Sequence, residues 1–186
     1  MAHIQVIVGS TRPGRVGRKI ADWYVAGLEL PAGSTVEVVD LADINLPLLD
    51  EAMPAMYGQY ANEHTKEWSK VIAKADAYVF VTPEYNHAPS PSLLNAISYL
   101  KAEWSYKPVA FVGYGTVGAA RAIEHLVSVA SELSMVPLRE RVWINEPWAN
   151  VSEAGDVDTD AVKGGDPNGQ IAELVKWADA TKSLRS

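Results

Sequence analysis

The chain contains no cysteine. That excludes disulfides, thiol nucleophiles, and zinc or iron–sulfur clusters held by cysteine. Basic residues are also few: 16 Lys and Arg stand against 23 Asp and Glu, a net charge of -7. With no basic stripe and no nucleic-acid motif, this balance argues against a general nucleic-acid binder. No apolar run reaches the length of a membrane span. The first apolar stretch, His3–Val8, is too short for a secretory signal. The expectation is therefore a soluble cytoplasmic protein. The four histidines (His3, His64, His87, His125) show no H-E-x-x-H spacing, so no metal site is expected. No G-x-S-x-G elbow is present, which argues against an α/β-hydrolase.

What is present is an alternation of apolar runs and helical patterns. Strands are predicted near 3–8, 35–40, 77–82, 109–113 and 137–144. Helical spacing recurs in Val16, Ile20, Tyr24 and Leu28, and again in Trp68, Val71, Ile72 and Ala75. Leu93, Ile97 and Leu100 mark a third helix, residues 119–133 a fourth, and residues 171–178 a last one. Five strands alternating with five helices imply a parallel sheet covered on both faces. The length of 186 residues suits one such domain, 1–186. Residues 155–169, rich in Asp and Gly, read as a mobile loop before the last helix. Trp104, Trp143 and Trp148 read as core or subunit-interface residues, and Asp40 as the start of a loop.

The most informative stretch is Val6 to Gly17, V-I-V-G-S-T-R-P-G-R-V-G. A strand, a glycine-rich turn and a helix start bring free N–H groups and a positive helix end to one point, which binds phosphate. Gly9 and Gly14 have the spacing of a Walker A loop, but Arg15-Val16 stands where Lys-Ser/Thr is required. The second glycine of a Rossmann fingerprint is also missing. Ser10, Thr11, Arg12, Arg15, Val16 and Gly17 remain as candidate ligands for a terminal phosphate. The alternative is a solvated basic turn.

Two further loops leave predicted strand ends with unusual sequence. One is Thr82-Pro83-Glu84-Tyr85-Asn86-His87-Ala88-Pro89, and the other is Gly113-Tyr114-Gly115-Thr116-Val117-Gly118. Gly9-Ser10-Thr11-Arg12, Pro83-Glu84-Tyr85-Asn86 followed by Leu93-Leu94-Asn95-Ala96-Ile97, and the 113–118 loop together resemble the NAD(P)H-dependent FMN reductase family. The chain departs from that family's pattern at Arg15, Gly17, Ser90, Leu94 and Ser98.

The resemblance implies a flavodoxin-like three-layer sandwich with a five-stranded parallel sheet in the order 2-1-3-4-5. It implies FMN as cofactor and NADPH or NADH as electron donor. Quinones, azo compounds or free flavin are the implied acceptors, and dimers or tetramers the implied assembly. In this picture Pro83, Glu84, Tyr85, Asn86 and His87, with Tyr114, Gly115, Thr116 and Gly118, surround the flavin ring. Gly115 and Gly118 let backbone approach it. The flavin carries the chemistry, so no side chain is assigned as acid or base. Two rivals stay open at this point: an electron carrier without its own nicotinamide turnover, and a nucleotide-binding domain that takes no flavin.

Overall fold

The computed structural model describes residues 1–185. Six strands form one sheet in the order β2-β1-β3-β4-β5-β6. They are β1 (His3–Val8), β2 (Thr35–Asp40), β3 (Ala77–Pro83), β4 (Pro108–Gly115), β5 (Val136–Asn145) and β6 (Val162–Gly164). The first five run parallel, and β6 pairs antiparallel with β5 through Val142↔Gly164 and Ile144↔Val162. The helices are α1 (Gly17–Ala26), α2 (Leu41–Ile44), α3 (Glu63–Ala73), α4 (Pro91–Ser98), α5 (Ala120–Glu132), α6 (Pro147–Asn150) and α7 (Pro167–Ala180). The sheet order is that of a flavodoxin-like α/β fold extended by one edge strand.

Period-two alternation sends neighbouring strand residues to opposite faces. Ile4, Val6 and Val8 of β1 join Val79 and Val112 under α1 and α7, which contribute Ile20, Tyr24, Ile171 and Leu174. Ile7, Tyr78, Phe80 and Phe111 face the other way, under α3, α4 and α5. β3 is buried along its whole length, as its unbroken apolar sequence requires of a strand covered twice. Trp104 is fully buried beside Tyr78 and Phe80, with ring centroids 4.8 and 6.0 Å away.

Two expectations are corrected here. The sheet has six strands rather than five, and residues 155–169 are folded rather than a mobile loop. The aspartates explain both. The Asp158 carboxylate accepts from Asp160 N–H at 2.9 Å and starts the turn that leads into β6. Asp166 accepts from Gly169 N–H at 2.8 Å and caps α7, with Pro167 at its first position. Acids in this segment are end-capping groups, the role Asp performs best at a helix start. Only three residues of β6 pair, too few for a periodic signal in the sequence.

Candidate functional site

The strand order turns at β1, which has β2 on one side and β3 on the other. Open α/β sheets take ligands in the crevice beyond the strand carboxyl ends at such a turn. The loops after β1, β3 and β4 all leave at that edge.

The loop after β1 is set by its neighbours. A Cβ on Gly9 would come within 3.1 Å of Leu93 and of the Val81 carbonyl, so the position needs glycine for close packing under α4. The Gly9 carbonyl accepts from Ser90 Oγ at 2.6 Å and Ser92 Oγ at 2.5 Å. Ser90 also caps α4, a structural use for one departure from the family pattern. Arg12 and Arg15 end a turn closed by Arg15 N–H to the Arg12 carbonyl at 3.1 Å. Pro13 followed by Gly14 at φ +69° is the signature of a type II turn. Beyond it α1 begins without a side-chain cap and without an acid in its first turn. An uncapped helix start with no acid in its first turn leaves N–H donors and a positive end for an anion.

The two arginines are held differently. Arg15 Nη2 lies 2.8 Å from Asp40 Oδ2, and Arg18 Nη1 lies 3.8 Å from the same atom. The Asp40 side chain is 2 % exposed. It also accepts from Ala42 N–H at 3.0 Å, so Asp40 is the cap of α2 and an anchor for Arg15, beyond the loop-start role expected of it. Among the described residues Arg12 has no ion pair or side-chain hydrogen bond.

The loop after β3 folds into a two-residue turn. Tyr85 and Ala88 exchange backbone hydrogen bonds of 2.9 and 3.0 Å. Between them Asn86 and His87 have φ of +52° and +68°. Positive φ at both central residues marks a type I′ turn, and it is an uncommon state for histidine. Such strained turns gather at ligand sites. The Glu84 side chain points away from the turn. It accepts from Arg121 Nε at 2.7 Å, from Arg121 Nη2, and from the N–H groups of Arg121 and Ala122 at 3.1 and 3.3 Å. Burial alone would raise its pKa, but these donors outweigh burial and hold the carboxyl below its ordinary value. Glu84 therefore accepts from the first turn of α5 and ties the second loop to that helix.

In the third loop Tyr114 is buried. Its hydroxyl sits under α1, where a Cβ on Gly17 would come 2.5 Å from it. Gly17 is thus a packing glycine. A Cβ on Gly118 would collide with Trp143, and its φ is +60°. This internal contact by itself requires glycine at 118. At Gly115 an added Cβ would meet Glu84 only at 3.7 Å, an ordinary contact.

These loops enclose a cleft of about 160 Å³. Ser10, Arg12, Arg15 and Val16 line one side, and Pro83, Glu84, Tyr85, Tyr114 and Gly115 the other. Ser10 Oγ and Tyr85 Oη are 2.8 Å apart across it. Asn86, His87 and Thr116 lie on exposed loop tips outside it. Thr11 lines a separate recess with Asn45 and Asn95. Pro147 and Trp148 complete the cleft wall. Trp148 is 66 % exposed, so of the two expectations for it, core or subunit interface, the core one is corrected. A larger cleft, about 790 Å³, lies at the opposite edge of the sheet. Two of its charged groups are tied internally: Arg185 pairs with Asp76 at 3.0 Å, and Lys107 donates to the Ile72 carbonyl at 3.2 Å.

The comparison with known proteins bears on this geometry. The family model described as NADPH-dependent FMN reductase matches residues 2–149. The chain belongs to the NADPH-dependent FMN reductase family. The chain is 37 % identical over 190 residues to the NAD(P)H-dependent FMN reductase ntnL of Nectria sp, covering 99 % of this chain and 94 % of that protein. It is 36 % identical over 123 residues to a quinone reductase of Pseudomonas putida, covering 62 % of each. The solved structure of FerB, a flavoenzyme NAD(P)H:(acceptor) oxidoreductase from Paracoccus denitrificans, superposes with a TM-score of 0.65 at 23 % identity. That alignment covers 100 % of this chain and 97 % of FerB and shows the shared fold. As a member of the reductase family the chain is an FMN-dependent oxidoreductase that draws on NAD(P)H.

The cleft fits that cofactor on its own evidence. Arg15 Nε and the Tyr114 hydroxyl are buried without a hydrogen-bond partner of good geometry. Buried polar atoms are nearly always paired, so two such groups among the residues lining the cleft suit a polar ligand. Burial and the nearby Tyr85 push the Tyr114 pKa up, while the Ser10 hydroxyl and the charges of Arg12 and Arg15 pull it down; the net shift is upward. The phenol stays neutral at ordinary pH and is available as a donor.

Proposed function

We propose that residues 10–17 hold the FMN phosphate and that the 83–87 and 114–118 loops hold its ring. In this reading electrons pass from NADPH or NADH to a small acceptor such as a quinone, an azo compound or free flavin. The observation that carries it is the pair of partnerless buried polar atoms, Arg15 Nε and Tyr114 Oη, beside an uncapped helix start.

When bound, FMN supplies hydride acceptance and onward electron transfer. The chain's own residues bind and orient. Arg12, free of internal partners, neutralises phosphate charge. Arg15 is fixed in direction by Asp40, so it loses little conformational freedom on binding. The I′ turn leaves the N–H groups of Asn86 and His87 without acceptors in the protein among the described residues. Directed at the polar ring edge, they steady the negative charge that develops on reduction. The exposed turn tip leaves an open side for nicotinamide and acceptor to use in succession, a ping-pong order.

The test is the visible spectrum of protein loaded with FMN, cleared of excess ligand, and given NADPH without oxygen. Retained bands that bleach support the reading. Retained bands that do not bleach indicate a carrier, and absence of retained or titratable FMN refutes the site. We further propose a homodimer or homotetramer. Leu48 and Met56, 82 % and 66 % exposed, sit on a segment pinned by Asn95 Nδ2 to the Pro47 carbonyl at 2.7 Å and by Glu51 to Ala61 N–H at 2.9 Å. A fixed apolar surface of this kind suits a second copy. Light scattering during gel filtration tests it, and a monomeric mass refutes it.

A further inference from the structure

Trp148 has an unusual position. Trp68 and Trp104 are fully buried, yet Trp148 leaves two thirds of its surface in water. It makes none of the ring–ring contacts found among the described residues. Such a surface forgoes the burial that stabilises Trp68 and Trp104. The segment that carries it is nonetheless firmly built. Glu146 adopts φ +48° and donates its N–H to the Gly115 carbonyl at 2.9 Å. Val151 N–H closes α6 onto the Pro147 carbonyl at 3.0 Å, and Asn150 Nδ2 holds the Asn145 carbonyl at 3.0 Å. Asp158 N–H reaches the Asn150 carbonyl at 2.9 Å, so the folded 155–169 segment braces the same turn. This well-built segment holds the indole in the wall of the cleft that Arg12, Tyr85 and Gly115 also line.

We infer that Trp148 packs against bound FMN on its ring side and closes the cleft over it. This rests on the FMN site proposed above. Glu146, two residues before Trp148, donates its N–H to the Gly115 carbonyl, which joins this segment to the loop after β4. Trp148 lines the cleft, whereas Asn86 and His87 stand on an exposed tip outside its lining.

The test measures FMN and riboflavin affinities by calorimetry for the parent protein, Trp148→Ala and Trp148→Phe. Loss of one aromatic contact weakens binding about tenfold. Trp148→Ala should lose that factor for both ligands alike, because the contact is with the ring they share. Trp148→Phe should recover most of it. Unchanged FMN affinity in Trp148→Ala, or a loss seen only in the KM for NADPH, would overturn the inference. Failure of the parent protein to bind FMN would instead bring down the underlying site, and that result needs no variant.

Discussion

Tyr114→Phe removes a single oxygen, and it should stabilise the free protein but bring no advantage to the loaded one. In the free protein the hydroxyl is buried under Gly17 without a partner of good geometry. An unsatisfied buried hydroxyl costs about 1–3 kcal/mol. Deleting it should therefore stabilise the free protein by about 1 kcal/mol, a rise in Tm of roughly 2–4 °C for a chain of this size. With FMN present the same oxygen becomes a donor to the ligand, and its loss should weaken binding about tenfold. At FMN equal to 100 times the parent Kd, the parent gains about 2.7 kcal/mol of stability and the variant about 1.4 kcal/mol. The two effects nearly cancel, so the variant's advantage disappears on loading. The assay is thermal unfolding with and without FMN, backed by an FMN titration. A variant less stable when free, with unchanged FMN affinity, would show that the hydroxyl is satisfied inside the protein and would refute the orphan argument.

Arg12→Ala should weaken FMN by about 10- to 100-fold, the worth of one charge-assisted hydrogen bond, while riboflavin affinity and Tm stay level. Arg15→Ala should lower Tm as well, because Asp40 is left as a buried carboxylate without its nearest cation; equal Tm for the two variants would refute this distinction. Gly118→Ala should destabilise by about 1–3 kcal/mol through overlap with Trp143, read as a fall in Tm, and an unchanged Tm would show that the loop yields freely. Glu84 has a folded pKa held below 4.5, so its contribution is present above that value and is lost as pH falls through the folded value. The Tm gap between the parent and Glu84→Gln should shrink as the pH drops below 4.5; a gap constant across that range would show that the Arg121 pairing does not stabilise the fold.

Strong periodicity made most of the fold legible. β3 and β4 read as continuous apolar runs because both faces are covered, and the long helices repeat their apolar residues along the buried side. β6 and α6 were not legible, since elements of three and four residues carry no period. The aspartates at 158 and 166 were a usable signal for helix starts, overshadowed by the glycine content around them. In the candidate site the Pro13-Gly14 turn and the loops after β3 and β4 stood out because turn chemistry is local. Trp148 did not, because nothing adjacent to it in the chain shows what it faces.

The amino-acid sequence by itself determined what depends on neighbours along the chain, namely the alternation of strands and helices and the basic turn before an uncapped helix, and its lack of cysteine excludes thiol chemistry. The tertiary structure alone decided what depends on contacts between distant segments. Asp40 meets Arg15, Arg121 captures Glu84, Trp143 claims the space beside Gly118, and Trp148 joins the cleft wall. The physical reason is that backbone preference acts over a few residues, whereas the direction, burial and charge environment of a side chain are set by whatever the sheet order brings against it.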